Sequence, residues 1–345
     1  MGMSVIPDPN PLPLVLVLTP VYNESAGLEA YETAVSQTLL SRSDCDVRIL
    51  FIDDGSSDDS WQKICAIAAR DQRFRGVRLS RNYGSHIALS AGFANAGTAD
   101  AVATLACDLQ DPPSVVMQFI DAWKRGADIV WGKRTSRDES LLKIWTSRAF
   151  ERLIRRYAMP SGSRFTTGSF LLVDRKVAEC FAQFQEHNRV TFALVAWTGF
   201  SETIVEYERQ RRRTGRSGWT YGRMIKTMYD TFIGFSQAPI RAMTVTGTVV
   251  SMLTIPMAAY ILYHRIVGHP ILGWTSTLLP ITLFFGLQFL MMGITGEYLY
   301  RIYAEVVRRP LYFVSDSTWR DSLSHGSRAQ RHFTDEAQVK TSRPT

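Results

Sequence analysis

The apolar run that ends in Ala106-Cys107-Asp108-Leu109-Gln110-Asp111-Pro112-Pro113 constrains this chain more than any other stretch. It reads as a β-strand whose carboxyl end carries a carboxylate, an amide and a second carboxylate. Open α/β sheets bind their ligands at strand carboxyl ends. An earlier run, Phe51-Ile52-Asp53-Asp54-Gly55-Ser56-Ser57-Asp58-Asp59, ends in the same way. The two acidic turns together point to a nucleotide whose diphosphate is bound to a metal ion.

From Leu14 to about Gly132 short apolar runs alternate with helical stretches. Strands are expected over Leu14–Val17, Val47–Ile52, Phe74–Leu79, Ala101–Ala106 and Ile129–Trp131. Helices are expected over Leu28–Leu40, Ser60–Asp71, Gly84–Ala96 and Pro113–Arg125. This alternation predicts a parallel, doubly wound sheet. Asp58 and Ser60 are candidate caps of the second helix, and Asp111-Pro112-Pro113 opens the fourth. Further on come a basic helix at Leu141–Tyr157, a strand at Phe170–Val173, a helix at Val190–Thr198 and a strand at Thr203–Tyr207. Tyr221–Ser236 is amphipathic and suits either the membrane interface or an ordinary core. From Ser315 the chain is polar and aperiodic, which predicts a disordered tail over 315–345.

Ala242–Tyr263 and Ile271–Gly296 contain no Asp, Glu, Lys, Arg or His. Each is about long enough to cross a bilayer core of roughly 30 Å, and both are expected to be transmembrane helices. The loop between them carries one arginine, Arg265, while the flanks carry Arg241, Arg301, Arg308 and Arg309. The positive-inside rule then puts both termini in the cytoplasm, with the chain as a multi-pass protein of the inner membrane. Leu14–Leu18 is too short for a secretory signal core and reads as the first buried strand. The four cysteines form no C-x-x-C pair and have no zinc-like spacing, as suits reduced thiols in the cytoplasm. The net charge of +7 is concentrated partly in Arg209-Gln210-Arg211-Arg212-Arg213, before the spans, where anionic lipid would attract it. No nucleic-acid motif accompanies that run.

Thr19-Pro20-Val21-Tyr22-Asn23-Glu24, Asp53-Asp54-Gly55-Ser56, Arg81-Asn82-Tyr83-Gly84, Asp108-Leu109-Gln110-Asp111-Pro112-Pro113 and Gly296-Glu297-Tyr298-Leu299-Tyr300-Arg301-Ile302-Tyr303 occur in this order. In this the chain resembles the polyprenyl-phosphate glycosyltransferases, family 2 inverting enzymes related to dolichol-phosphate mannose synthase, from about residue 14 to 314. The resemblance implies a GT-A type, Rossmann-like α/β domain over 1–220, an interfacial helix over 221–240 and a two-helix transmembrane hairpin over 241–300. A juxtamembrane segment follows over 301–314. It implies transfer of a sugar from a UDP- or GDP-linked donor to polyprenyl phosphate, with inversion at the anomeric carbon, for modification of cell-envelope glycans.

By the same resemblance Pro20, Tyr22, Glu24, Asp53, Asp54 and Arg81 bind the nucleotide, and Asp108 and Gln110 hold Mg²⁺ or Mn²⁺. Arg134, Lys143, Ser147 and Arg212 act on the phosphate groups. Relatives of this kind also suggest assembly of copies through the hairpin, and the small residues of the spans permit close packing. Two positions depart from the family pattern. Ala106 stands where the first Asp of Asp-x-Asp belongs, and Gly218 replaces the lysine of Arg-x-x-Gly-x-Ser-Lys, with Arg216 as the nearest substitute charge. Those departures fit a second reading, a weakened nucleotide-binding scaffold at the membrane. A processive polysaccharide synthase fits less well, because Gln210-Arg211-Arg212-Arg213 is followed by Thr214 rather than tryptophan. No residue identifies the sugar or the polyprenol length.

Overall fold

The computed structural model describes residues 12–135, 166, 168–187, 189–210, 238–267 and 273–319. The amino-terminal part alternates β1 (Leu14–Val21), α1 (Leu28–Thr38), β2 (Asp46–Asp53), α2 (Ser60–Arg70), β3 (Phe74–Leu79), α3 (Ser85–Ala94), β4 (Ala101–Thr104), α4 (Pro113–Lys124) and β5 (Ile129–Arg134). Then come β6 (Leu171–Asp174), α5 (Arg175–Gln183), α6 (Thr191–Trp197), β7 (Glu202–Tyr207), the long helices α7 (Ala238–Ile266) and α8 (Trp274–Val307), and β8 (Val314–Ser317). The strands form one sheet in the order β7-β5-β6-β4-β1-β2-β3-β8.

Successive side chains of a strand point to opposite faces, and both faces of this sheet are covered. Val15, Val17, Ile49 and Phe51 pack into one buried cluster with α1, α2 and α4. Leu18, Leu50 and Ile52 pack into a second with α3, α5 and α6. That is why these strands read as nearly continuous apolar runs. β1 pairs in parallel with both β2 and β4, so the chain winds outward to β3 and then crosses back to the other side of β1. This reversal leaves a crevice at the carboxyl ends of β1, β2 and β4, where both acidic turns lie.

β1 to β5 all run parallel, as expected from the alternation, and the sheet becomes mixed only through two later strands. β6 runs antiparallel to both β4 and β5, and β8 antiparallel to β3. A short apolar run looks the same in either direction, so the pattern of residues carries no sign of it. α5 was not expected either; its cap is Asp174, whose side chain accepts from the Lys176 amide at 3.1 Å.

The disordered tail expected from Ser315 is corrected for residues 315–319. Trp61 Nε1 donates to Asp316 Oδ2 at 3.3 Å, and Gly76 and Thr318 exchange two hydrogen bonds of 3.0 and 2.9 Å. This segment covers the edge of β3 with polar side chains, as protected sheet edges commonly do, and so shows no apolar period. The remainder of the tail, 320–345, lies outside the described residues. So do the expected helices at 141–157 and, all but its end, at 221–240.

α7 and α8 contain 29 and 34 residues; α7 covers Ala242–Tyr263, and α8 covers the second uncharged segment from Trp274 on. Among the described residues no helix is long and apolar enough, by mean hydropathy, to cross a membrane. Both nevertheless expose large apolar side chains, including Met252, Leu253, Phe285, Phe289 and Leu290. The carboxyl end of α8 touches the α/β domain: the His187 amide donates to Glu305 Oε1 at 2.7 Å, and His187 Nε2 lies 2.7 Å from the Arg309 carbonyl oxygen.

Candidate active site

The turns after β1 and β2 are sewn to each other. The Asn23 amide donates to Ser56 Oγ at 3.0 Å, and Asn23 Oδ1 accepts from the Ser57 amide at 2.9 Å, with Asn23 in the left-handed region at φ 54°. The Glu24 amide donates to Ser60 Oγ and the Ser25 amide to Asp58 Oδ2, both at 3.1 Å. Asp58 Oδ1 also accepts from the Ser60 amide at 3.0 Å, at the first residue of α2, as expected of a cap, while Ser60 Oγ serves the Glu24 loop. Pro20 remains within β1 opposite Ile52, and Tyr22 projects at 47 % exposure beside Asn23 and Glu24.

The two aspartates ending β2 have different surroundings. Asp53 is fully buried; its Oδ1 accepts from the Ser56 amide at 3.1 Å. Arg78 Nε lies 3.2 Å from Asp53 Oδ2 as an ion pair, and this oxygen has no hydrogen-bond donor among the described residues. Burial raises the Asp53 carboxyl above its ordinary range, opposed by the Ser56 bonds and by Arg78. Asp54 uses both oxygens as a clamp, accepting the Tyr83 and Gly84 amides at 2.7 and 2.8 Å. Burial raises its pKa as well, against those two amides. Arg81 stacks over the Tyr83 ring at 4.1 Å. Pro20, Tyr22, Glu24, Asp53, Asp54 and Arg81 thus gather around one end of the sheet, with Asp54 positioning the 81–84 turn.

The turn after β4 carries Asp108, partly exposed, whose Oδ1 accepts from the Gln110 amide at 3.2 Å. Leu109 takes the left-handed conformation at φ 52° and tucks its side chain into the core, so that Asp108 and Gln110 flank a buried plug. Among the described residues no group of three or more His, Cys, Asp or Glu side chains could hold a metal. One carboxylate and one amide oxygen are hard donors, and they fit a Mg²⁺-like ion that draws its other ligands from substrate phosphate and water.

A cluster not expected from the sequence lies next to this turn. The Tyr207 hydroxyl, at the end of β7, donates to Asp111 Oδ1 at 2.6 Å. Arg134 Nε, at the end of β5, donates to the Tyr207 oxygen at 3.3 Å and lies 3.9 Å from Asp111 Oδ1; Arg209 Nε lies 3.5 Å from the same atom. Burial, then Asp111, raises the Tyr207 phenol and keeps it protonated. Asp111 is no helix cap: the N-cap of α4 is Pro112, without a side-chain bond. At 5 % exposure the Asp111 carboxylate needs a partner, and that burial shows only in the structure. Lys143, Ser147, Arg212, Arg216 and Gly218 lie outside the described residues.

A doubly covered α/β sheet with acidic turns at its switch point and a basic edge alongside defines a nucleotide-sugar transferase of the GT-A-like kind. The sequence matches Glycosyl transferase family 2 over residues 16–182. An uncharacterized glycosyltransferase of Synechocystis is 34% identical over 305 residues, 87% of this chain and 94% of that protein. The SfII prophage-derived bactoprenol glucosyl transferase of Shigella flexneri is 32% identical over 305 residues, 88% and 98% of the two chains. The chain belongs to glycosyl transferase family 2 and is a glycosyltransferase. Glucosyl-3-phosphoglycerate synthase from Mycobacterium tuberculosis, solved with Mn²⁺ and UDP, is a distant likeness: 16% identity, TM-score 0.43, over 64% of this chain and 78% of that one.

Proposed function

We propose that this glycosyltransferase moves one sugar from a nucleoside diphosphate sugar to polyprenyl phosphate at the cytoplasmic face of a membrane. The observation that carries this reading is the joining of an acidic turn, Asp108 to Asp111, to a basic edge, Arg134 and Arg209, through one buried carboxylate. The acidic turn suits a metal-bound diphosphate and the basic edge suits a phosphate monoester. The bactoprenol glucosyl transferases, similar along nearly their whole length, support the choice of acceptor.

The nucleotide fits the crevice among Pro20, Tyr22, Glu24, Asp53 and Arg81, where the undonated Asp53 Oδ2 is placed to accept a hydrogen bond. Asp108 and Gln110 would hold Mg²⁺ or Mn²⁺, which supplies positive charge to the departing diphosphate. An oxygen of the acceptor phosphate attacks the anomeric carbon from the opposite face, and the bond to the nucleoside diphosphate breaks with its electron pair. A phosphate already carries the negative charge needed, so no strong protein base is required. Arg134, with Lys143, Ser147 and Arg212 by family resemblance, neutralises the repulsion between the two anions.

Membrane attachment through α7 and α8 belongs to the same proposal, with both termini cytoplasmic. Mean hydropathy scores their threonines as polar, yet the hydroxyls of Thr244, Thr248, Thr277 and Thr295 each donate to the carbonyl four residues back, at 2.8–3.1 Å. Hydroxyls satisfied in this way cost less in hydrocarbon. Transfer of radiolabel from a panel of UDP- and GDP-sugars to undecaprenyl phosphate, by membranes containing the protein, tests the reading. Organic-extractable label from one donor, lost with EDTA, is expected. No label from any donor, beside an active relative, would favour the nucleotide-binding scaffold instead.

A further inference from the structure

Two arginines, Arg134 from the end of β5 and Arg209 from just past β7, approach a single oxygen, Asp111 Oδ1, through their Nε atoms at 3.9 and 3.5 Å. The two guanidinium groups repel each other, and both pair with the Asp111 carboxylate. Its side chain is 7 % exposed, and its position is fixed twice from the β7 side. The Tyr207 hydroxyl donates to it at 2.6 Å, and the Gln210 amide donates to the Gln110 carbonyl at 2.9 Å, closing the acidic turn onto the start of the arginine-rich segment. The Tyr207 ring is held by Phe170, edge to face at 5.2 Å, and Phe170 packs on Phe119 of α4.

We propose that Asp111 and Tyr207 are positioning residues that hold Arg134 and Arg209 together, in advance of binding, as a paired clamp for the phosphate of the acceptor. This rests on the acceptor reading given above. An anion meeting guanidinium groups already gathered does not spend its binding energy on ordering two long side chains. Tyr207 acts through Arg134, to which its oxygen is bonded, and Asp111 acts on both arginines.

The test is binding of undecaprenyl phosphate to the full-length protein in detergent micelles, followed by calorimetry, with undecaprenol as the control lacking phosphate. Tyr207→Phe keeps the ring packing and loses the hydroxyl; it is expected to weaken binding about tenfold. Arg134→Ala is expected to weaken it further, and Tyr207→Phe to cost clearly less when added to Arg134→Ala than in the wild type, because the tyrosine then positions only Arg209, through Asp111. Asp111→Asn keeps the shape and removes the charge, and is expected to weaken binding at least as much as Tyr207→Phe; it decides the matter if Tyr207→Phe does not fold. Wild-type binding by both of these variants overturns the proposal, as does an equal loss from Tyr207→Phe with and without Arg134. Should Arg134→Ala bind like wild type, or undecaprenol bind as well as its phosphate, the acceptor reading falls and this inference with it.

Discussion

Gly55 lies so near Arg81 that a Cβ on it would come within 2.5 Å of the Arg81 carbonyl carbon. Gly55 also sits at φ +69°, where side chains are strained. The closeness is what brings the β2 turn against the 81–84 turn, both of which border the proposed nucleotide site. Gly55→Ala is therefore expected to cost about 1–3 kcal/mol from the backbone conformation alone, with the clash added. Thermal unfolding of the full chain would show the loss, together with a raised KM for the donor.

Asp54 holds the same two turns from its other side. Asp54→Asn puts an NH2 group opposite one of the two amide donors, Tyr83 or Gly84, which leaves that donor unpaired. The cost is expected to be about 1–3 kcal/mol. The donor KM should rise while the acceptor KM stays within twofold, a split that steady-state kinetics reads directly.

His86 gives a pH dependence of known sign. Its Nδ1 accepts from the Thr191 amide at 3.3 Å, and burial lowers its pKa from 6.5 to about 4, although the residue is not wholly enclosed. The unfolded chain therefore takes up the proton first. The contribution of His86 is fully present above pH 6.5, is lost as the pH falls towards 4 and is constant below that. The melting temperature is expected to drop between pH 7.5 and pH 5, and to drop less in His86→Gln. An equal drop in both would place the titration elsewhere.

The strap formed by β8 makes a separate prediction. Removing residues 314–345 exposes the edge of β3 and takes away the partners of Trp61 and Gly76. An unprotected edge strand invites pairing between chains. The truncated protein is expected to unfold at a lower temperature and to aggregate, as size-exclusion chromatography with light scattering would record. Cutting after Trp319 should do neither.

Where the sequence predicted well, the physics was local. Apolar runs buried on both faces of a sheet show themselves as β1, β2 and β4, and the carboxylates that end them mark the crevice without any knowledge of what packs against them. The direction of β6 depends on how the chain returns, which four apolar residues do not encode. The Asp111–Tyr207 contact joins residues 96 apart in the chain, and neither residue is unusual where it stands. Asp111 falls in the run expected to open α4, and only the structure shows that Pro112 takes the cap position. Asp54 fell in an expected binding motif and turned out to hold a turn. β8 was hidden because a strand that covers an edge with polar groups has the composition of a tail.

Transfer of a single sugar to a lipid phosphate is read from the mass of the product. Purified full-length protein would be given undecaprenyl phosphate, Mg²⁺ and the donor found in the panel, and the organic phase analysed by mass spectrometry. A lipid monophosphate one sugar residue heavier is expected, absent when Asp108→Ala replaces the wild type. A lipid diphosphate sugar, or the same product at full yield from Asp108→Ala at limiting Mg²⁺, would contradict this expectation.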